Sequence, residues 1–102
     1  MDDNAFAPYA QAAAVVKKDG TVVRSKGVTG VKKVGNGEYR ITVDADVRLA
    51  RAVPIATLNR SANWGAEIFV STTDTSDTDQ TFQVLTGLNG KAGDQPFHVI
   101  VP

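Results

Sequence analysis

Apolar side chains recur at every second position along most of this chain, and glycine-containing turn pairs interrupt the pattern at short intervals. A helix needs like residues three or four apart, so this spacing favours pleated strands that each bury one face. The stretch GNGEYRITVDADV, residues 35–47, is the clearest case. Tyr39, Ile41 and Val43 fall on one face, and Arg40, Thr42 and Asp44 on the other. Asn36-Gly37 opens this stretch, and Asp19-Gly20 stands in the same way between AAVVKK and TVVRSK. Both pairs suit a type I′ hairpin turn, whose two central residues take positive φ.

The remaining chain repeats the theme. GVTGVKKV links the two turn signals, and IATLNR, AEIFVSTTD, TFQVLTGLN and FHVIVP are four further strand candidates, separated by SANWG, TSDTD and GKAGDQP. ADVRLARAV loses the alternation and reads as an irregular crossover or a short helical turn, with Pro54 marking an edge strand or a strand start. About seven or eight short strands result, a count that suits a β-sandwich or a small barrel. The fold expected is all-β: an antiparallel β-sandwich with a jelly-roll-like path. The length of 102 residues fits one domain with a single core. Residues 1–14 read as an N-terminal arm and residues 15–102 as the sandwich. Ala10 to Ala14 favour helix intrinsically, but a stretch so short needs tertiary contacts to hold any structure.

Composition closes off several kinds of chemistry. An apolar fraction of 42% and a charged fraction of 22% oppose wholesale disorder. No apolar run reaches the roughly 18 residues of a membrane-spanning helix, and MDDNAFAPYAQAAA lacks the basic start of a secretory signal. With no cysteine there is no disulfide or thiolate chemistry, and a single histidine cannot build the usual zinc sets, so neither metal nor cofactor is expected. Formal net charge is zero but unevenly spread: Lys17, Lys18, Arg24, Lys26, Lys32, Lys33 and Arg40 crowd the first half, and Glu67, Asp74, Asp77, Asp79 and Asp94 the second. Such polarity could steer a nucleic acid onto the first half or dock one subunit's basic region on another's acidic one, but the stronger reading is lysines on solvent faces and strand edges, where they discourage unwanted pairing. Nucleic acid and membrane are not expected as partners.

Four places invite a chemical reading. His98 lies inside the apolar strand PFHVIV without a nucleophile elbow; if Phe97, Val99 and Val101 face the core, it faces outward with Ile100, which favours a structural or interface role over catalysis. Residues 74–80, DTSDTDQ, gather three carboxylates and three hydroxyls, hard oxygen ligands of the kind calcium takes. They lack the glycine and distal glutamate of an EF-hand, and the plain alternative is a solvated loop. Trp64 sits beside turn residues in RSANWGAE, where an exposed indole can stack on a sugar ring, although a lone tryptophan more often anchors a core or an interface. Asp44 and Asp46, two apart on a strand, would share its wet side as ordinary surface acids.

DGTVVRSKGVTGVKKVGNGEYRITVDADV, IATL and GDQPFHVIVP together resemble a small β-sandwich module found at the C-terminal ends of phage tail-fibre-like proteins and of actinobacterial surface or secreted proteins, some with collagen-like shafts. The matching positions are Gly27-Val28; Gly37, Tyr39, Ile41 and Val43; Ala56-Thr57; and Pro96-Phe97-His98, within residues 13–102. Many actinobacterial versions carry a cysteine near the position of Ala52 and another at the extreme C-terminus; this chain has neither. The resemblance implies a trimer, a fibre-tip role and no catalytic residues.

The expected function is therefore a non-enzymatic structural or adhesion module, a homotrimer in preference to a dimer, on a virion or at a cell surface. Its candidate ligand-binding residues are Trp64, Asp74, Asp77 and Asp79, facing a glycan or cell-surface receptor. The alternative is a monomeric carbohydrate-binding module using Trp64, with Tyr9 or Tyr39 as further platforms.

Overall fold

The computed structural model describes residues 7–72 and 79–102. Their strands are β1 Ala12–Val16, β2 Val22–Lys26, β3 Val28–Gly35, β4 Glu38–Val43, β5 Ile55–Leu58, β6 Ala66–Ser71, β7 Thr81–Leu88, β8 Lys91–Ala92 and β9 Phe97–Val101. Two sheets form, both antiparallel: sheet A in the order β2-β1-β9-β5, and sheet B in the order β3-β4-β7-β6 with β8 added to β7. The first strand pairs with the last, Ala14 opposite Val99, and β4 pairs with β7, Ile41 opposite Phe82. This nested pairing makes an all-β sandwich with a jelly-roll-like path, as the alternation predicts.

Period two decides what is inside. Ala12, Ala14, Val16, Phe97, Val99 and Val101 line sheet A, and Tyr39, Ile41, Val43, Phe82 and Val84 line sheet B; all are buried. The Tyr39 and Phe97 rings meet edge to face across the sheets, centroids 4.8 Å apart at 63°. The stretch that loses alternation becomes a 3₁₀ turn, Leu49–Arg51, which turns Leu49 into the core beside Val47. Pro54 comes just before β5, an edge strand, where its missing N–H breaks no ladder. β1 begins at Ala12, so residues 12–14 of the expected arm belong to the sheet: burial between sheets outweighs the helical preference of alanine.

The turns depart from expectation in an instructive way. In the β1–β2 hairpin only Gly20 has positive φ (92°), and its N–H donates to Lys17 O at 2.9 Å. Asp19 Oδ1 accepts from Thr21 N at 2.9 Å, which holds Asp19 out of the left-handed region, so the connection is a turn closed by a glycine bulge instead of type I′. Between β3 and β4, again, only the glycine, Gly37, is left-handed. The type I′ signature appears at Asn89-Gly90, φ 52° and 83°, between the paired Leu88 and Lys91. The sequence reading ends the strand candidate TFQVLTGLN at Asn89 and places Gly90, Lys91 and Ala92 in the following loop, so this hairpin straddles that boundary.

Gly37 is needed for space as well as for conformation. Its N–H donates to Asp94 Oδ1 at 2.7 Å, its carbonyl accepts from Thr86 N at 2.8 Å, and an added Cβ would overlap the Thr86 carbonyl oxygen. Gly37→Ala is expected to cost about 2 kcal/mol or more, from left-handed strain together with backbone displacement. Urea unfolding measures this; an unshifted midpoint would refute the close approach.

Candidate binding surfaces

The loops after β1, β3, β5 and β7 and the segment before β9 gather at one end of the sandwich, since these strands run toward it and β9 runs away. Each loop there is fastened from below. The Tyr39 hydroxyl, at the end of a buried ring, donates to Lys18 O in the β1–β2 turn. Asp94 bridges two neighbours, Lys33 Nζ at 3.2 Å and Gly37 N at 2.7 Å. In the β5–β6 loop, Asn59 Oδ1 accepts from Ser61 N at 3.0 Å and from Ser61 Oγ at 2.9 Å. Gln95, only 3% exposed, accepts from Asn63 N and donates to Asn63 Oδ1, both at 3.2 Å. A buried amide costs free energy unless bonded, and this two-point pair satisfies it while fixing the loop.

Two hollows flank Asn63 as a result. One, of about 410 Å³, lies between Lys17 and Lys18 on one side and Ser61, Asn63 and Gln95 on the other. The second, of about 320 Å³, is lined by Asn59, Arg60, Asn63 and Trp64, whose indole is wholly exposed. The nearby acids are engaged locally: Asp94 as above, and Asp19 with the Thr21 amide, a bond that holds its carboxyl below the usual range. Among the described residues, the one ion pair at this end is Lys33–Asp94, which leaves Lys17, Lys18 and Arg60 outside any salt bridge.

The outer faces of the two sheets differ from ordinary wet surfaces. On sheet A, Ala13, Ile100 and Ile55 form one cross-strand row, and Val15, His98 and Thr57 the next, around a groove of about 340 Å³. Ile55 is 50% exposed, Ile100 39%, Val53 75% and Tyr9 97%. Arg24 and Lys26 border the groove on β2, Lys26 Nζ donating to Ala7 O at 2.8 Å. On sheet B, Phe69 and Leu85 lie opposite one another in a groove of about 280 Å³ bordered by Glu38, Glu67 and Lys91. Arg40 Nε is buried and without a hydrogen-bond partner.

Trp64 and Asp79, both exposed, lie at opposite ends of the β6–β7 pair, because Ala66 faces Leu88 at one end and Ser71 faces Gln83 at the other. Asp74 and Asp77, and with them the oxygen-rich calcium motif, lie outside the described residues. Among the described residues, no three His, Cys, Asp or Glu side chains gather as a metal site. His98 does face outward with Ile100, and its Nε2 meets Asn59 Nδ2 at 2.8 Å, an amide instead of the hydroxyl and carboxylate of a triad. β4 ends at Val43, so Asp44 and Asp46 lie in the following turn, Asp44 O accepting from Val47 N. Sequence reasoning did not find the Lys17–Lys18, Ser61, Asn63 and Gln95 cluster; no spacing connects these residues until the loops meet. Among the described residues, no helix is long and apolar enough to cross a membrane.

Comparison with known proteins found no matching family model, no similar curated protein and no similar solved structure.

Burial, followed by the nearby Asp94 charge, raises the Tyr39 phenol from 10.0 to about 12. The fold therefore favours the neutral phenol. This contribution is fully present below about pH 10 and fades as pH rises through about 12. In a Tyr9→Phe background, where Tyr39 is the remaining phenol, urea stability should begin to fall near pH 10 while phenolate absorbance lags behind. Ordinary phenol titration without loss of stability would contradict the buried hydroxyl.

Proposed function

We propose that this chain is a non-enzymatic structural or adhesion module that works as a homotrimer of the fibre-tip kind, on a virion or at a cell surface. The observation that carries this reading is the apolar outer face of sheet A, where Ile55 and Ile100 meet Ala13 and Val15 with Val53 and Tyr9 nearby. An apolar strip of this kind on an otherwise charged exterior is characteristic of a contact surface. Covering each half-exposed isoleucine is worth roughly 1 kcal/mol.

A second apolar strip, Phe69 and Leu85, lies on the opposite outer face. A two-fold pairing of one face leaves the other bare, whereas a head-to-tail contact of sheet A on sheet B covers both, in a closed ring where the rotation between copies closes and in an open filament where it does not. Charge supports the same arrangement in part, since Arg24 and Lys26 border one strip, and Glu38 and Glu67, with Lys91 beside them, the other. The resemblance of residues 13–102 to fibre-terminal modules points to three copies.

Sedimentation equilibrium should give three chain masses at micromolar concentration. Ile100→Lys, and separately Ile55→Lys, should yield monomers with an unchanged far-ultraviolet spectrum. A wild-type chain that is monomeric at micromolar concentration would sink the proposal.

A further inference from the structure

We infer that the loop end of the sandwich is a binding site for an acidic carbohydrate, spanning at least two sugar units, with Trp64 as the stacking platform and Lys17 and Lys18 as the anion-binding pair. This site is separate from both outer sheet faces and does not depend on the trimer.

The argument begins with Trp64. Among the described residues its indole makes no ring contact, and it is 100% exposed, although such a side chain ordinarily hides most of its surface. The loop beneath it is nevertheless held in place, by the Asn59–Ser61 bonds and by the buried Gln95 amide on Asn63. An exposed aromatic on a fixed loop loses little freedom on binding, which is what a stacking platform requires. A planar apolar face beside amide groups matches a pyranose, whose C–H face is apolar and whose rim is hydroxyl.

The second hollow specifies charge. Lys17 and Lys18 face Ser61, Asn63 and Gln95 across it. The turn carrying them is fixed by Gly20 N to Lys17 O, by Lys17 N to Thr21 O and by the Tyr39 hydroxyl on Lys18 O. Asp94 is paired with Lys33, while Asp19, bonded to the Thr21 amide, keeps its charge beside Lys17, so Lys17, Lys18 and Arg60 together still leave a net positive end. Two adjacent cations on a fixed turn, beside amide and hydroxyl groups, select an anionic group with hydroxyl neighbours, which is a carboxylate-, sulfate- or phosphate-bearing sugar. Asn63 forms a wall of both hollows, so one ring on Trp64 places the next unit toward the lysines.

The test uses the full chain and defined probes. Oligogalacturonate, sialyllactose and a heparin tetrasaccharide are titrated calorimetrically against neutral galacto-oligosaccharide and lactose. At least one acidic probe should bind about tenfold or more tightly than its neutral counterpart, and the preference should shrink as salt rises. Which probe wins separates carboxylate from sulfate recognition. Trp64→Ala and the double variant Lys17→Ala/Lys18→Ala should each weaken that probe about tenfold, and the lysine variant should also abolish the salt dependence. Tyr9→Ala should leave binding unchanged. Since all these side chains are exposed, thermal unfolding should stay as in the parent. Equal affinity for acidic and neutral probes, no binding of any acidic probe, or binding indifferent to Trp64 would each overturn the inference.

Discussion

The structure depends on one side chain that acts in two places. The Tyr39 ring packs against Phe97 at the centre of the sandwich, and its hydroxyl reaches out of the core to the Lys18 carbonyl at the loop end. The ring contributes through buried area and edge-to-face contact, while the hydroxyl satisfies a backbone acceptor that burial would otherwise leave bare. A phenylalanine would provide the first of these and not the second. The packing of the two sheets is thus mechanically connected to the position of the β1–β2 turn, and through Asp94 and Gly37 to the β3–β4 turn.

Around that joint the exterior divides into regions with different chemistry. Each sheet has an apolar strip on its outer face, which suits contact with like copies. The loop end is polar and cationic, with one bare indole. In the assembly proposed above, the flanks form the contacts between copies and the loop end faces outward. The single histidine is bonded to Asn59 on an outer sheet face.

The alternation of Tyr39, Ile41 and Val43, and that of Phe97, Val99 and Val101, was legible because a strand with one buried face writes its orientation into every second residue. The same rule placed His98 and Ile100 outside. The turns were legible as turns but not as types: Asp19 is held by a side-chain bond to Thr21, a local competition that a two-residue motif does not encode. The alanines left the start of the first strand ambiguous, with Ala13 and Ala14 falling both in the run AAVVKK and in the arm, because alanine carries no strand signal; the neighbours Ser25 and Val99 on either side of Ala14 settle it. At the candidate site, Trp64 was visible as the one tryptophan, beside turn residues, but its full exposure rules out the core anchor that a lone tryptophan more often makes. Its companions were not, since Lys17, Lys18, Asn63 and Gln95 come from three separate loops that only the crossing of strands brings together.

Amide hydrogen exchange, compared between the native chain and Tyr39→Phe, tests the coupling of core to loop end most directly. The account predicts faster exchange at the Lys17 and Gly20 amides of the β1–β2 turn, whose bonds rely on the Tyr39 anchor, with the amides of the β4–β7 ladder little changed. Uniform acceleration throughout the sandwich, or no change at the turn, would contradict it.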